Sequence, residues 1–346
     1  MIAYAILCNP GHNRVYYLSS LKLAESELAI AAQKMANPLR DITHRRIAGL
    51  DYITFTSEAH LPDPDAAALS GLSFTYALFE IIDINGTDHL RPIEKTGDNF
   101  IDESVSSILK YTGKTNETFT RMMLNVAYYS QDNIGDIRLL DPVAGKGTTL
   151  YEGLIKGFNV YGVEIGDKAV TEAYHYIKKF LETGKYKHRA ENQKISGPNR
   201  SFVSKKYTFE IARSKESQKQ NEVKILEIIS GNSINAGLFY KKEFFDIIAG
   251  DLPYGVQHGN VTNQKQSSLT RNPSELLAGC LPVWAGLLKP GGAIALAWNV
   301  NVLPRADAGR LLEANGLTVL DWPAYLGFEH RVDQSIVRDI IVAKKI

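Results

Sequence analysis

Two stretches of the sequence combine residue types that could bind a ligand and act on it. The first runs from a short apolar segment, Ile137–Leu140, into the loop Asp141–Gly147. Pro142 and the two glycines of this loop disfavour regular structure and let the backbone approach a ligand closely. The chain then predicts a helix capped by the hydroxyl of Thr148, and a second buried strand ending at Glu164. A glycine loop after one strand, with an acid at the end of the next, is how an open α/β sheet holds a nucleoside.

The second stretch follows another apolar run, Phe244–Gly250, which predicts a buried strand. It reads Asp251-Leu252-Pro253-Tyr254-Gly255: an acid, a residue with a free backbone carbonyl, a proline that stiffens the turn, and an aromatic ring. The carboxylate and the carbonyl can both accept hydrogen bonds from an amino group. The alternative interpretation is a tight turn after a strand, without chemistry.

Two common nucleotide-binding patterns do not fit the first stretch. The dinucleotide fingerprint fails because Leu150 stands where its third glycine should be, and the phosphate-loop pattern fails because Gly147 follows Lys146. The loop instead resembles motif I of class I S-adenosylmethionine (SAM) methyltransferases, with Asp141, Gly145 and Gly147 in the family's places. A purely structural strand-to-helix turn is the alternative.

The resemblance implies further contacts to SAM. Glu164 matches the acid that accepts hydrogen bonds from the two ribose hydroxyls. The sequence Gly231-Asn232-Ser233 stands where the family usually has Gly-Asp-Ser, whose acid contacts the adenine amino group. Asn232 can offer a carbonyl oxygen to that group, but it can also donate a hydrogen bond. SAM binding should therefore survive with an altered hydrogen-bond preference.

A helix just before motif I contacts the methionine end of SAM in the resembling family. Asn116, Thr118 and Phe119 occupy that place here, although a capping segment in which Thr115 or Thr118 starts a helix is the alternative. The complete set of cofactor-binding residues that the resemblance implies is Asp141, Ala144, Gly145, Gly147, Glu164, Asn232, Ser233, Asn116, Thr118 and Phe119.

The second stretch resembles the D/N-P-P-Y/F motif of methyltransferases that act on exocyclic amino nitrogens. Its form, with leucine for the first proline, is most similar to the tRNA guanosine-N2 methyltransferases related to the THUMP-domain enzymes. The resemblance implies that the Asp251 carboxylate and the Leu252 carbonyl accept hydrogen bonds from the target amino group. Pro253 then stiffens the turn and Tyr254 stacks on the base.

The resemblance predicts a SAM-dependent methyltransferase that modifies N2 of guanosine in tRNA, with RNA as its partner and no metal. A second hypothesis keeps the cofactor and changes the target to adenine or cytosine in DNA or rRNA. A third hypothesis is an RNA-binding module with a degenerate fold that does not bind SAM. The intact acids Asp141, Glu164 and Asp251 weigh against the third.

Bulk properties narrow the class of protein further. The 346 residues carry a net charge of +1 and no apolar run of 18 or more, so we expect no membrane span. The first eight residues are apolar without a basic start, which predicts a strand rather than a signal peptide. Cys8 and Cys280 have no neighbouring ligands, which argues against a disulfide framework and a zinc site. We therefore expect a cytoplasmic protein.

The charge is uneven along the chain. Residues 185–224 contain eleven Lys or Arg and four Asp or Glu, a net charge of +7, so the remainder carries about −6. Such a local excess is typical of a contact with phosphates, and a solvated loop kept soluble by lysines is the alternative. Interleaved aromatic residues of this insertion could stack on unpaired bases or pack the insertion onto its own domain.

The predicted fold class is α/β: a C-terminal class I (Rossmann-like) methyltransferase sheet, preceded by a small α+β domain. We expect the α+β domain at residues 1–90, with a four-strand, two-helix arrangement of ferredoxin type that is too short to include a full THUMP module. A linker at 91–113 and a methyltransferase domain at 114–346, with the basic insertion 185–224, complete the predicted organisation.

Two further expectations concern strands. Met1–Cys8 and Arg14–Leu18 could pair across the intervening turn, although a helix directly after the first strand is frequent in the resembling family. The final strand, Ser335–Ala343, should lie antiparallel at the edge of the methyltransferase sheet. The polar segment Val256–Asn272 is predicted to overhang the site as a substrate loop.

Overall fold

The computed structural model describes residues 1–9, 14–95, 97, 99–108, 114–197, 200, 202–254 and 272–346. The chain divides into two compact units, the first formed by residues 1–98 and 321–338 and the second by residues 99–320 and 339–346. Residues 321–338, which lie inside the predicted range 114–346, therefore pack with the N-terminal segment.

The first unit is built on a five-stranded sheet with the order β2-β3-β1-β4-β5, in which neighbouring strands are antiparallel. The short strand β14 (His330–Arg331) and a 3-10 helix at Pro323–Leu326 also belong to this unit. Its main elements are β1 (Ile2–Cys8), α1 (Arg14–Ala31), β2 (Leu39–Ile47), β3 (Leu50–Ser57), α2 (Asp63–Ser70), β4 (Thr75–Ile84) and β5 (Thr87–Ile93).

Of the two alternatives for Arg14–Leu18, the strand paired with β1 is wrong and the helix after the first strand is confirmed, because these residues begin helix α1. The apolar residues that follow recur at intervals of three and four, the period of a helix with one buried face. Strand β1 pairs instead with β3 and β4, which leaves it no free edge for residues 14–18. The buried positions of α1 include Leu21, Ala24, Leu28 and Ala31.

The second unit holds a larger mixed sheet with the order β13-β15-β12-β11-β6-β7-β10-β9-β8. Its strands are β6 (Arg138–Asp141), β7 (Asn159–Glu164), β8 (Lys187–Ser196), β9 (Val203–Ala212), β10 (Lys224–Ser230), β11 (Phe245–Asp251), β12 (Leu288–Asn299), β13 (Thr318–Val319) and β15 (Val337–Lys344). Its helices are α3 (Ser104–Ser107), α4 (Glu117–Ser130), α5 (Thr148–Ile155), α6 (Asp167–Thr183), α7 (Lys215–Lys219), α8 (Ala236–Phe239), α9 (Pro273–Leu287) and α10 (Arg305–Glu313).

The five central strands β10, β7, β6, β11 and β12 run parallel to one another. Strands that are covered on both faces read as continuous apolar runs, and every residue from Phe245 to Gly250 and from Ala293 to Trp298 is buried. Parallel strands end at the same edge of a sheet, and ligands of open α/β sheets bind there. We call this edge, where β6, β7, β10 and β11 end, the carboxyl edge.

The basic insertion extends the sheet. Strands β8 and β9 form an antiparallel hairpin, and β9 pairs antiparallel with β10. Two of its aromatic residues pack inward: the ring of Tyr207 stacks on Tyr174 at 4.4 Å, and Phe209 is fully buried. These two rings are therefore unavailable to stack on bases, and the packing interpretation of the insertion is the one that applies to them.

The last strand, β15, lies between β12 and the two-residue strand β13, and it is antiparallel to β13. The outermost strand on this side is therefore β13, and the prediction that the final strand forms the edge is wrong. Residues 317–320 follow helix α10 after residues 314–316, and the Leu320 N–H donates to the Val342 carbonyl of β15 at 2.9 Å.

Candidate functional site

The glycine loop begins where β6 ends and is tied to both neighbouring strands. The Val143 N–H donates to Asp141 Oδ1 at 2.9 Å, and the N–H of the buried Ala144 donates to the Val163 carbonyl at 3.0 Å. The Gly145 N–H donates to Glu164 Oε2 at 2.9 Å. Three successive backbone amides thus hold the loop against the ends of β6 and β7.

The two glycines of the loop have positive φ angles, +53° at Gly145 and +94° at Gly147. A Cβ atom at Gly145 would meet no atom within 4 Å, whereas one at Gly147 would lie 3.0 Å from the ring of Tyr151. Gly147 is also the N-cap residue of α5 and has no side chain for capping, so the predicted threonine cap is wrong. The turn requires a left-handed residue at this point, which favours glycine over threonine.

Glu164 ends β7, and its carboxylate faces the loop. Its Oε1 accepts the Gly166 N–H at 2.7 Å, and its Oε2 accepts the Gly145 N–H at 2.9 Å. An ionised carboxylate has about four acceptor positions, so each oxygen can still accept one more hydrogen bond. The Gly231 N–H donates to the Glu164 carbonyl at 2.9 Å, which joins the end of β10 to the same point.

Asp141, the last residue of β6, is only 2% exposed. Burial raises the pKa of its carboxyl to about 7, since a charge is poorly solvated there. The negative charges of Glu164 and Asp251 raise this pKa further, whereas hydrogen bonds from the Val143 amide and the Thr149 side chain oppose the rise. Two neighbouring carboxylates therefore act on Asp141 at the carboxyl edge.

Asp251 ends β11, and two hydroxyl groups hold its carboxylate. The Thr115 hydroxyl donates to Oδ2 at 2.5 Å, and the Tyr254 hydroxyl lies 2.6 and 2.7 Å from the two carboxylate oxygens. Leu252 is buried in the core, and its N–H donates to the Ala297 carbonyl at 2.8 Å. Pro253 and Tyr254 are half-buried.

The glycine loop and Asp251 lie side by side. Strands β6 and β11 are parallel neighbours, with Leu139 and Leu140 opposite Ile247 and Ile248. A Cβ atom at Gly250 would lie 3.1 Å from Val143 and 3.2 Å from Asp141 Oδ1, so the ends of the two strands are in direct contact. The adjacency expected from the two sequence stretches is present.

The segment before α4 behaves as a helix cap. Asn116 is the N-cap residue, and its side-chain oxygen accepts the Phe119 N–H at 3.1 Å. Phe119 is buried, while Asn116 and Thr118 are exposed. The capping interpretation was right about the element but wrong about the residue, since neither Thr115 nor Thr118 is the cap.

Asn232 and Ser233 follow β10. The Asn232 side-chain oxygen accepts the Ile234 N–H at 3.1 Å and so starts a short 3-10 turn. The Ser233 hydroxyl accepts the Trp284 indole N–H at 3.0 Å and is buried. Ser233 therefore supports the fold under the site, whereas the half-buried Asn232 remains at the surface of the edge.

Residues 109–287 match the model of the protein family UPF0020, an RMKL-like methyltransferase domain. The match spans just over half of the chain. The chain belongs to this family. A search of curated proteins finds no match.

Solved structures resemble this methyltransferase chain only in part. The T. thermophilus 16S rRNA N2 methyltransferase RsmC is 16% identical with a TM-score of 0.36, and the alignment covers 88% of this chain and 58% of that one. A TehB-like SAM-dependent methyltransferase from Corynebacterium glutamicum is 13% identical with a TM-score of 0.33, covering 66% and 97%. An rRNA methylase from Streptococcus thermophilus is 10% identical with a TM-score of 0.34, covering 68% and 99%.

The structure adds two residues to the candidate site. Thr115, which the sequence marks only as a candidate helix cap, contacts Asp251, and Asn299, which is 1% exposed, places its amide nitrogen 3.5 Å from the Tyr254 carbonyl. Thr115 lies 136 positions before Asp251, and no motif joins them. Gly255 and most of the predicted substrate loop, residues 256–271, lie outside the described residues.

Within the described ranges, no three His, Cys, Asp or Glu side chains are grouped so that they could hold a metal ion. Among the helices of the same ranges, none has the length and apolar character that a membrane crossing requires.

Proposed function

We propose that this methyltransferase transfers a methyl group to an exocyclic amino nitrogen of a nucleobase in RNA, and that its target is N2 of guanosine in tRNA. The observation that carries the proposal is the adjacency of the glycine loop and Asp251 at the ends of β6 and β11. A methyl donor held at the first and an amino group held at the second would face each other.

The cofactor is S-adenosylmethionine, which supplies a methyl group bound to a positively charged sulfur. The residues of the carboxyl edge fit this molecule: the space beside Gly145 is open, and the Glu164 carboxylate has acceptor capacity left for two hydroxyl groups. Asp141, Ala144 and Gly147 form the rest of the cradle. Asn232 offers its side chain to the adenine, and Asn116, Thr118 and Phe119 stand at the methionine end.

Asp251 is the residue that acts on the amino group. The lone pair of an exocyclic amine is delocalised into the base, so the nitrogen must become pyramidal before it can attack. The Asp251 carboxylate and the Leu252 carbonyl accept the two amino hydrogens and favour this geometry. The carboxylate also stabilises the positive charge that grows on the nitrogen, while in-line placement supplies much of the remaining acceleration.

Thr115 and Tyr254 prepare Asp251 for this role. Hydroxyl groups that donate to a carboxylate favour its ionised, acceptor form and restrict its rotation. The Tyr254 ring stays half-buried beside the carboxylate, where it can also contact the base. Pro253 limits the backbone freedom of the turn between them.

The choice of RNA rests on three supports. The Asp-Leu-Pro-Tyr form resembles the guanosine-N2 enzymes, the insertion 185–224 is strongly basic, and a target base must leave its stack to reach such a site. The N-terminal residues 1–90 would form an accessory domain of ferredoxin type, since the order β2-β3-β1-β4 is that of a ferredoxin-like sheet.

The decisive experiment incubates the purified full chain with methyl-labelled SAM and bulk tRNA from a strain lacking the gene, then digests the RNA and separates the nucleosides. We expect label in N2-methylguanosine. Label in a methylated adenosine or cytidine would show that the protein is an RNA methyltransferase whose target base is not guanine. The absence of both transfer and a calorimetric signal with SAM would favour the RNA-binding module.

A further inference from the structure

The charge of the basic insertion is segregated along its hairpin. Residues 192–209 contain four cations and no acid, whereas the other residues of 185–224 contain seven cations and all four acids. We call the four cations of the first group, Lys194, Arg200, Lys205 and Lys206, the tip cations. The rest of the insertion has the mixed charge of an ordinary solvated surface.

The strand register places the tip cations at the carboxyl edge. Lys206 lies opposite Ile229, one residue before the end of β10, and Lys194 lies opposite Lys205 across the hairpin. The end of β10 is level with the end of β7, because Ser230 pairs with Glu164. The closed end of the hairpin therefore lies at the same edge as Asp141, Glu164 and Asp251.

Local contacts anchor the hairpin to this edge. Lys205 Nζ lies 2.7 Å from the carboxylate of Asp167, the first residue of α6, and the ring of Phe202 meets that of Phe239 at 5.2 Å. Lys206 pairs with Glu227 at 2.6 Å. Lys194 and Arg200 are exposed, and neither forms an ion pair with any residue that the structure describes.

We infer that Lys194 and Arg200 form a phosphate-contact surface for the RNA substrate, at a distance from the base that is methylated. This inference rests on the proposed function. Four strand spacings of about 4.8 Å separate β11 from β9, roughly 19 Å, so a single nucleotide bound at Asp251 does not reach the hairpin. A polynucleotide does, and its backbone phosphates are the partners that unpaired cations attract.

The opposite edge of the same insertion supplies a matched control. Helix α7 connects the last residues of β9 to the start of β10, where Lys224 pairs with Ile211, and so lies at the other end of these strands. Lys215 and Lys219 on α7 are exposed, like the two tip residues. The double variants K194Q/R200Q and K215Q/K219Q remove the same charge from the two ends of one insertion.

The test measures binding of radiolabelled bulk tRNA to the full chain across a series of KCl concentrations. For K194Q/R200Q we expect several-fold weaker binding. The negative slope of log affinity against log salt should become less steep by about 2, because two phosphate contacts are lost. K215Q/K219Q should keep the wild-type slope. Calorimetric SAM affinity should be unchanged in both variants.

Wild-type affinity and slope in K194Q/R200Q would overturn the inference, as would equal losses in the two double variants, which would indicate a response to net charge alone. The proposed function is judged separately by wild-type transfer to tRNA. If the wild type methylates tRNA and K194Q/R200Q binds it normally, the tip surface is refuted and the enzyme stands. If the wild type neither binds nor methylates RNA, both proposals fail.

Discussion

The two halves of the candidate site are constructed differently. The half at β6 and β7 is held by backbone N–H groups: three loop amides donate to neighbouring residues, and the carboxylate of Glu164 is held by two glycine N–H groups. The half at β11 depends on side chains, since Asp251 is held by the hydroxyls of Thr115 and Tyr254. Fixed backbone groups can bind a cofactor that is the same in every turnover, whereas the group that acts on the substrate is a side chain oriented by other side chains.

This comparison predicts that substitutions in the two halves separate binding from transfer. Substitutions at the end of β7 should weaken SAM binding without changing kcat at saturating SAM. Substitutions at the end of β11 should lower kcat without changing the affinity for SAM. A substitution at the end of β7 that lowers kcat, or one at the end of β11 that weakens SAM binding, would contradict this division.

The largest effect is expected for D251A. Loss of the carboxylate removes both an acceptor for the amino group and the charge that stabilises the growing cation, so kcat for tRNA should fall by about 1,000-fold or more. SAM affinity measured by calorimetry should stay within a few-fold of the wild type. D307A, which removes a half-buried acid on α10 that pairs with Arg310, is the control, and near-normal turnover of D251A would refute the assigned role.

The next largest effect is expected for E164A. This substitution removes the acceptor for the ribose hydroxyls, the bond from Gly145 that holds the loop and the bond from Gly166, so SAM affinity should fall by about 100-fold while kcat at saturating SAM changes little. Calorimetry and saturation kinetics measure the two quantities. E182A on the exposed face of α6 serves as the control, and a fall in kcat without a loss of SAM affinity would contradict the division between the halves.

A smaller effect is expected for T115V, which removes a hydroxyl and keeps the shape of the side chain. Loss of one hydrogen bond to a charged group should lower kcat by about 10-fold, with little change in KM for tRNA or in SAM affinity. T115S should restore most of the rate. T171V removes a hydroxyl that donates to the Asp167 carbonyl on α6 and should leave the rate unchanged. Equal rates for T115V and the wild type would remove Thr115 from the site.

The smallest effect is expected on stability and concerns Asp141. Its pKa is raised from 3.8 to about 7, so the folded state holds this proton more tightly than the unfolded state. Asp141 therefore costs no stability below pH 3.8, increasingly destabilises the fold as the pH rises, and reaches its full cost above about pH 7. We expect the difference in Tm between D141N and the wild type to be a few degrees larger, in favour of D141N, at pH 8 than at pH 5. A difference in Tm that does not depend on pH would contradict the assignment.

The two halves of the site also differ in how far the sequence could predict them, because one is formed by contacts within a short segment and the other by contacts between distant segments. The loop Asp141–Gly147 and Glu164 lie within one strand-loop-helix-strand unit, so apolar periodicity and two glycines were enough to place them. The Thr115 contact with Asp251 joins residues from separate elements, and no local pattern reports it. For residues 14–18, which begin the helix Arg14–Ala31, the sequence leaves strand and helix both open, because these five residues alone do not show the helical period.

The sequence by itself determined the α/β class of the second unit, the order of its central motifs and the acids at the ends of three strands, because these depend on local periodicity and turn chemistry. The tertiary structure decided which strand ends are neighbours, which hydroxyls hold Asp251, and to which edge the insertion brings its cations. Those features depend on pairing between strands far apart in the chain, where register and packing, rather than local preference, determine the contacts.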